Sequence, residues 1–306
     1  MITHWYNAGV RVISGQGRGQ WASVQDIPDQ HYRKLFIDFT KQQLDLINGY
    51  QMGSDLLNEI AASGHRVTIY LDAGSGGGSA TFAETNDALS IWDRFFKPFR
   101  PFRAEMANYM RGHLGTLPAW KLSQPDTYYL YEFKKILERC PYSRGMVGKL
   151  IGKTQIEIDQ MVEGTRPMDD LTYERLAVTL YEWLTPGNGI NTCVRWDIGG
   201  QQCADAENAK SDWKNDLPFV QLAHELIHAW RMMTGRRIFE RGLGEEFMTT
   251  GLPPFTALKF TENKLRVQAN IAVRDYYNTQ SGRDYWDSMA APWRARSTDA
   301  KKWAAR

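Results

Sequence analysis

The chain has 306 residues, of which 42% are hydrophobic, so it can bury the core of one large domain or of two ordinary ones. Its 37 lysines and arginines nearly balance its 35 aspartates and glutamates, and the formal charge of +2 gives no electrostatic reason to expect nucleic acid as a partner. No run of about 18 apolar residues could span a bilayer, and the start, MITHWYNAGVRVISGQG, lacks the basic and apolar regions of a Sec signal. We therefore expect a globular protein that is made in the cytoplasm, without a membrane span.

The three cysteines, Cys140, Cys193 and Cys203, predict neither a disulfide framework nor a thiolate metal site, because their number is odd and no CxxC spacing occurs. The 11 Trp, 14 Tyr and 13 Phe residues fit either a heavy aromatic core or an aromatic-lined groove for a peptide. We favour the core, because aromatic side chains are mostly buried.

The first quarter of the chain predicts helices followed by a strand. Apolar residues recur at helical spacing over residues 29–62, with an interruption at residues 49–53, which predicts two helices in an N-terminal helical segment, residues 1–62. Residues 65–72 (HRVTIYLD) alternate and are rich in β-branched side chains, so they predict a strand. The next stretch, GSGGGSA, lacks the GKS/T ending of a phosphate-binding loop and predicts a flexible turn.

The middle of the chain predicts a large helical insertion at about residues 96–185. Helix-forming stretches such as LTYERLAVTLYEWL alternate there with prolines. The turn TPGNG, a second strand candidate (INTCVRWDIGG) and a polar loop over residues 201–215 then lead into the next helix. The tail, residues 281–306, predicts either a terminal helix or a loose segment.

That next helix carries the sequence HELIH, in which His224 and His228 lie four residues apart on one face. Two imidazoles at this spacing can bind one zinc ion, and Glu225 between them can act as general base on a water at that ion without binding the ion itself. Asp216 is a good N-cap, Pro218 fits the first turn, and apolar neighbours predict a buried helix that ends near Gly235.

A catalytic zinc ion needs a third protein ligand, which must lie downstream. Thr234 stands where the HExxHxxGxxH pattern would have histidine, so we expect a glutamate instead. The candidates are Glu240, Glu245, Glu246 and Glu262. Glu245 is our first choice and Glu246 the second, because the pair opens a predicted helix in which one carboxylate can face the zinc ion and its neighbour can support a ligand histidine.

HELIHA followed by EExxTxG resembles the M91 family of bacterial type III effector zinc endopeptidases, and it shares features with clostridial neurotoxin light chains. The resemblance covers residues 62–277 at most and is strong only over residues 218–277. By its motif, the first glutamate of the pair, Glu245, would be the metal ligand. The family also has an RxxY pattern that polarises the scissile carbonyl, and this role would fall to Arg274 and Tyr277.

The resemblance implies an α+β, zincin-like metalloprotease fold with a small mixed sheet and the HExxH helix. In such a fold an edge strand lies beside the active helix and pairs with an extended substrate. The catalytic domain would cover residues 63–280 and would contain the helical insertion.

The resemblance further implies a zinc-dependent endopeptidase with one Zn²⁺ per chain, secreted or injected into a target cell to cleave a specific protein, with host signalling kinases as the family-based substrates. A secretion chaperone, a carrier or an immunity protein would then be a further partner. The alternatives are an antibacterial toxin of the same fold, and a non-catalytic binding module with a structural zinc ion. At the level of single residues, the histidines could be a satisfied core pair, Arg274 a member of a salt bridge, and Tyr277 a packed side chain.

Overall fold

The computed structural model describes residues 1–17, 24–72, 79–84, 136–166, 172, 175–176, 180–183, 186, 189–198, 217–237, 244–252 and 255–274. Five predicted features lie wholly or mostly outside these residues: the glycine-rich turn, the first part of the helical insertion, the polar loop before the motif helix, Tyr277, and the C-terminal tail. Within the described residues, no helix has the length and apolar character needed to cross a bilayer.

The strands form one small mixed sheet, as predicted. Its members among the described residues are β1 (Thr3–Trp5), β2 (Val10–Gly17), β3 (Gln25–Asp26), β4 (Val67–Asp72), β5 (Ala80–Ala83) and β6 (Thr192–Trp196). The strand order is β1-β2-β4-β6-β5, and β3 pairs with β2. Strands β2, β4 and β6 are parallel neighbours, whereas β5 runs antiparallel to β6 at one edge.

The α-helices of the described residues are α1 (Gln30–Asn48), α2 (Gln51–Ala62), α3 (Arg144–Ile151), α4 (Gln155–Glu163), α5 (Pro218–Met233), α6 (Gly244–Thr250) and α7 (Glu262–Gln268). The predicted break between α1 and α2 is confirmed. Asp29 caps α1 by accepting hydrogen bonds from the backbone N–H groups of His31 and Tyr32. A Cβ on Gly53 would lie 2.0 Å from the carbonyl oxygen of Ile47, so glycine is required where α2 turns back against the end of α1.

The N-terminal segment differs from the prediction that residues 1–62 are helical. Strands β1, β2 and β3 lie within its first 26 residues, and β2 is an interior strand of the sheet. Helices α1 and α2 form the crossover that parallel strands β2 and β4 require, so the segment belongs to the same layered unit as the motif helix.

One face of the sheet packs against helices and forms the main hydrophobic core. Val12, Ile69 and Val194 from the three parallel strands contribute to this core together with side chains of α1, α2 and α5. Between Phe219 and Met233 every residue of α5 except Gln221 is buried. The motif helix is therefore a core element, as its apolar flanks predicted.

A second hydrophobic cluster joins the helical insertion to α6. Side chains of α3 and α4, including Val147 and Ile158, pack with Phe247 and Met248 of α6. Thr154 and Glu157 form a capping box at the start of α4, which fixes the beginning of that helix. Helix α6 is thus held on one side by the insertion and on the other by α5.

Candidate metal centre

Helix α5 holds the HExxH motif in a rigid and largely buried position. His224, Glu225 and His228 are 8%, 8% and 4% exposed, and the two imidazole centroids are 4.9 Å apart. Leu217 occupies the N-cap position and makes no side-chain cap hydrogen bond, and Asp216, the predicted cap, lies outside the described residues. The helix ends at Met233, and Gly235 follows with a φ of 67°, a left-handed conformation that favours glycine.

Glu246 of α6 completes a triad with the two histidines. Its Oε2 atom lies 2.9 Å from His224 Nε2 and 3.1 Å from His228 Nε2, and the two Nε2 atoms are 3.2 Å apart. Two nitrogens and one carboxylate oxygen therefore converge on one point. The side chain of Glu246 is 28% exposed, which makes it the most exposed of the three side chains.

The triad fits a metal ion in its dimensions and in its donor set. Ligand atoms about 2.0 to 2.1 Å from a tetrahedral zinc ion are roughly 3.3 Å from one another, close to the distances between the three donor atoms here. Two histidines and one glutamate are also a donor set of catalytic zinc sites.

The orientation of the His224 ring supports the same conclusion. His224 Nδ1 lies 2.7 Å from Glu262 Oε2, so a neutral ring would keep its proton on Nδ1 and leave the lone pair of Nε2 for a metal ion. Burial opposes a charged ring, but Glu246 and Glu262 outweigh it and raise the pKa of His224 to about 10. This cluster of acceptors therefore needs a positive charge, which either bound protons or a metal cation can supply.

Glu245, our first choice for the third ligand, lies elsewhere. Its Oε1 atom is 3.1 Å from Arg231 Nη1 and 3.6 Å from His228 Nδ1, on the side of the imidazole that faces away from the triad. Successive residues of a helix point about 100° apart, so only one of two adjacent glutamates can face the histidines. The two glutamates therefore exchange their predicted roles: Glu246 joins the triad, and Glu245 supports His228.

The surroundings of Glu245 keep it ionised. It is 4% exposed, and burial raises its pKa, but the Arg231 guanidinium and His228 outweigh this effect and lower the pKa to about 2. Thr249, the threonine of EExxTxG, lies 3.2 Å from His228 Nδ1 and 2.5 Å from Arg231 Nη1. The sequence analysis assigns no role to Thr249, although this residue lies one turn after Glu245 in the same short motif.

Glu262 of α7 links His224 to two arginines. Its carboxylate accepts hydrogen bonds from Arg266 Nε at 2.6 Å and from Arg274 Nη1 at 3.0 Å. Burial raises the pKa of Glu262, but Arg274 and His224 outweigh this effect and hold it well below its usual range. The sequence analysis names Glu262 only as a candidate metal ligand. Its spacing of four residues from Arg266 could also have predicted an ion pair within one helix.

Arg274 lies behind His224 rather than beside the triad in the described structure. Its guanidinium bonds to Glu262, and its backbone N–H and carbonyl both bond to the side-chain amide of Asn263, each at 2.8 Å. Tyr277, its predicted partner at a substrate carbonyl, lies outside the described residues.

A close approach between Gly251 and Thr261 brings the end of α6 to the start of α7. Gly251, the glycine of EExxTxG, has a φ of 83°, and a Cβ there would lie 2.6 Å from the side chain of Thr261. Thr261 is the N-cap of α7, and its hydroxyl accepts from Lys264 N–H. The motif glycine therefore lets the end of α6 meet the start of α7, which places Glu246 and Glu262 on either side of His224.

Glu225 is separate from the triad and is held by the edge strand. Thr81 Oγ1 in β5 lies 2.6 Å from Glu225 Oε2 and 3.0 Å from the backbone carbonyl oxygen of Glu225. The strand predicted before the polar loop and the motif helix is β6, and it is an interior strand of the sheet. The edge strand beside α5 is β5. The role of Thr81 was missed because β5 has only four residues and follows the glycine-rich stretch.

Comparison with known proteins does not place this chain in a family. No protein-family model, no curated protein and no solved structure matches it. The chemistry of the triad and of the groups around it is therefore the basis for a functional proposal.

Proposed function

We propose that the protein is a zinc-dependent endopeptidase of zincin-like fold. The observation that carries the proposal is the convergence of His224 Nε2, His228 Nε2 and Glu246 Oε2 within 3.2 Å, beside a buried carboxylate, Glu225, that is not one of the three. A structural zinc site uses four protein ligands, whereas a site of three ligands with an adjacent free acid is typical of hydrolysis.

His224, His228 and Glu246 would hold the zinc ion. When bound, zinc would polarise the scissile carbonyl and lower the pKa of a water molecule at its open position. Glu225 would accept a proton from the attacking water and later deliver it to the leaving amine. Its place next to His224 on a buried helix, outside the set of ligands, suits this role.

The groups behind the triad would keep both histidines in the tautomer that can bind a metal ion through Nε2. Glu262 fixes the proton of His224 on Nδ1, and Thr249 with Glu245 contacts Nδ1 of His228. Both Nε2 atoms then present lone pairs to the metal. In this proposal Arg274 acts through Glu262, and Tyr277 remains the candidate that polarises the substrate carbonyl.

The substrate class that fits the site is an extended peptide. Strand β5 lies at an edge of the sheet, contacts α5 and carries the side chain that bonds to Glu225. A peptide that added to this edge would pass next to the triad, and its main chain would supply the binding interactions. Because of the EExxTxG resemblance, we also propose that the protein is delivered into another cell and cleaves a specific regulatory protein there.

A comparison of wild type with Glu225→Gln tests the proposal. Cell lysate incubated with the zinc-loaded wild type should gain new protein N-termini detectable by mass spectrometry, and lysate with the variant should not. The same new termini with both proteins would exclude Glu225 from the reaction.

A further inference from the structure

The Thr81 hydroxyl bridges the side chain and the main chain of Glu225. It lies 2.6 Å from Oε2 and 3.0 Å from the carbonyl oxygen of the same residue. A distance of 2.6 Å is that of a short hydrogen bond between a hydroxyl and a carboxylate oxygen. Because one hydroxyl contacts both ends of Glu225, it fixes how the carboxylate is turned relative to the axis of α5.

Thr81 itself belongs to a strand that is anchored at both ends. At one end Ser79 Oγ accepts a hydrogen bond from Asp197 N–H at 3.0 Å. At the other end the side chain of Glu84, 8% exposed, forms ion pairs with Arg11 at 2.9 Å and Arg66 at 2.8 Å. The sheet therefore holds Thr81 in place through contacts that lie outside α5.

We propose that Thr81 is a positioning residue that holds the carboxylate of Glu225 in its orientation for proton transfer and away from the His224, His228 and Glu246 triad. This inference rests on the proposed peptidase function. A glutamate side chain has three rotatable bonds, and without Thr81 the carboxylate can turn away from the water it should deprotonate. The edge strand that would bind the peptide therefore also orients the base that would cleave it.

The alternative role for Thr81 is purely structural, as a strand residue that satisfies the Glu225 carbonyl. Thr81→Val separates the two roles because valine has almost the shape of threonine and favours strands, but lacks the hydroxyl. Thr81→Ser keeps the hydroxyl and loses only a methyl group.

Thr192 provides a matched control in the neighbouring strand. It is a threonine of β6, 0% exposed, and its hydroxyl has no hydrogen-bond partner among the described residues. Thr192→Val removes a hydroxyl that is more deeply buried than that of the half-buried Thr81, without touching Glu225, so we expect it to behave as wild type.

The first test is a set of crystal structures of zinc-loaded wild type, Thr81→Val and Thr81→Ser. We expect the Glu225 carboxylate to leave its position in Thr81→Val and to keep it in Thr81→Ser. An unmoved and equally ordered carboxylate in Thr81→Val would overturn the proposal. If Thr81→Val does not fold, as judged by circular dichroism, Thr81→Ala takes its place with the same criteria.

The second test is kinetic and uses a synthetic peptide that spans a cleavage site found in the lysate experiment. We expect kcat of Thr81→Val to fall about 10- to 100-fold, with KM and zinc content unchanged, because the hydrogen bond that orients the Glu225 carboxylate is lost. Thr81→Ser should recover most of the loss. A raised KM with unchanged kcat would show that Thr81 binds substrate instead, and equal losses in both variants would remove the hydroxyl from the explanation.

The two tests also separate this inference from the peptidase proposal. If the wild type cleaves nothing while Thr81→Val still displaces Glu225 in the crystal, the positioning role is supported and the proposed activity falls. If the wild type and Thr81→Val cleave the peptide equally well, the activity stands and the positioning role falls.

Discussion

The Nε2 atoms of His224 and His228 lie 3.2 Å apart, while their Nδ1 atoms have different partners on the far side of each ring. For His224 the partner is Glu262 of α7, and for His228 it is Thr249 of α6. Two helices that follow α5 in the chain thus turn the two Nε2 atoms toward one point. This relationship leads to predictions about the metal, the base and the supporting groups.

The adjacent glutamates should differ in their effect on zinc. Glu246→Ala removes one of three ligand atoms, and we expect about a 100-fold or larger loss of zinc affinity. Glu245→Gln keeps all three ligand atoms and changes a group behind His228, for which a loss of roughly 10-fold is typical. Competition with a chromophoric chelator measures both affinities; a stronger effect of Glu245→Gln would return the ligand role to Glu245.

Glu225→Gln should leave zinc content and thermal stability close to those of wild type while lowering kcat/KM by about 10²- to 10⁴-fold, the usual contribution of a general base. The amide still accepts the hydrogen bond from Thr81 Oγ1 but cannot take up a proton. Steady-state kinetics and elemental analysis check the two halves of this prediction. Full activity of the variant would assign the proton transfer to another group.

Glu262→Gln should destabilise the protein as well as weaken zinc binding. Glu262 is 1% exposed and neutralises Arg266 and Arg274, which are 2% and 8% exposed. Removing the acid from such a buried pair typically costs about 3 to 5 kcal/mol. Urea unfolding monitored by circular dichroism gives the free energy of unfolding, and a change below about 1 kcal/mol would show that the arginines are neutralised in another way.

Zinc binding should release protons and should strengthen as the pH rises. In the metal-free protein the acidic neighbours outweigh burial, which raises the pKa of His224 to about 10 and the pKa of His228 above its usual value. Because both rings must be neutral to bind zinc, we expect release of about one to two protons near pH 7.5. Calorimetry in buffers of different ionisation enthalpy measures this number; zero protons would mean that the free rings are already neutral.

Chelation should abolish cleavage without unfolding the protein. Helix α5 lies in a core built from the sheet, α1 and α2, and α6 packs into a second cluster, so neither helix depends on the metal for its burial. We expect circular dichroism to retain its helical signal after dialysis against a chelator, and activity to return with zinc. Cooperative unfolding on metal removal would instead indicate a structural zinc site and would favour the binding-module alternative.

The sequence predicted the elements whose pattern is local. HELIH with apolar flanks predicted a buried α5, the interruption near Gly49 predicted the break between α1 and α2, and the β-branched alternation predicted β4. The prediction from the sequence failed where the position of a side chain depends on tertiary contacts. The rotation of α6 decides between Glu245 and Glu246, and this rotation is set by packing against the insertion.

The strands near the N-terminus and at the sheet edge were missed for related reasons. Strand β2 precedes two strongly periodic helices and pairs with β4, a strand some fifty residues later in the chain. Strand β5 is short and borders a glycine-rich stretch, and it is identified only by its pairing with β6. Thr81 consequently carried no signal in the sequence, although it makes the hydrogen bond that holds Glu225.

The most direct measurement is anomalous X-ray diffraction at the zinc edge on crystals of the purified protein. If the proposed metal site is correct, we expect one peak per chain, in contact with His224 Nε2, His228 Nε2 and a carboxylate oxygen of Glu246. The absence of a peak at this position, or a peak bound by Glu245 in place of Glu246, would contradict it.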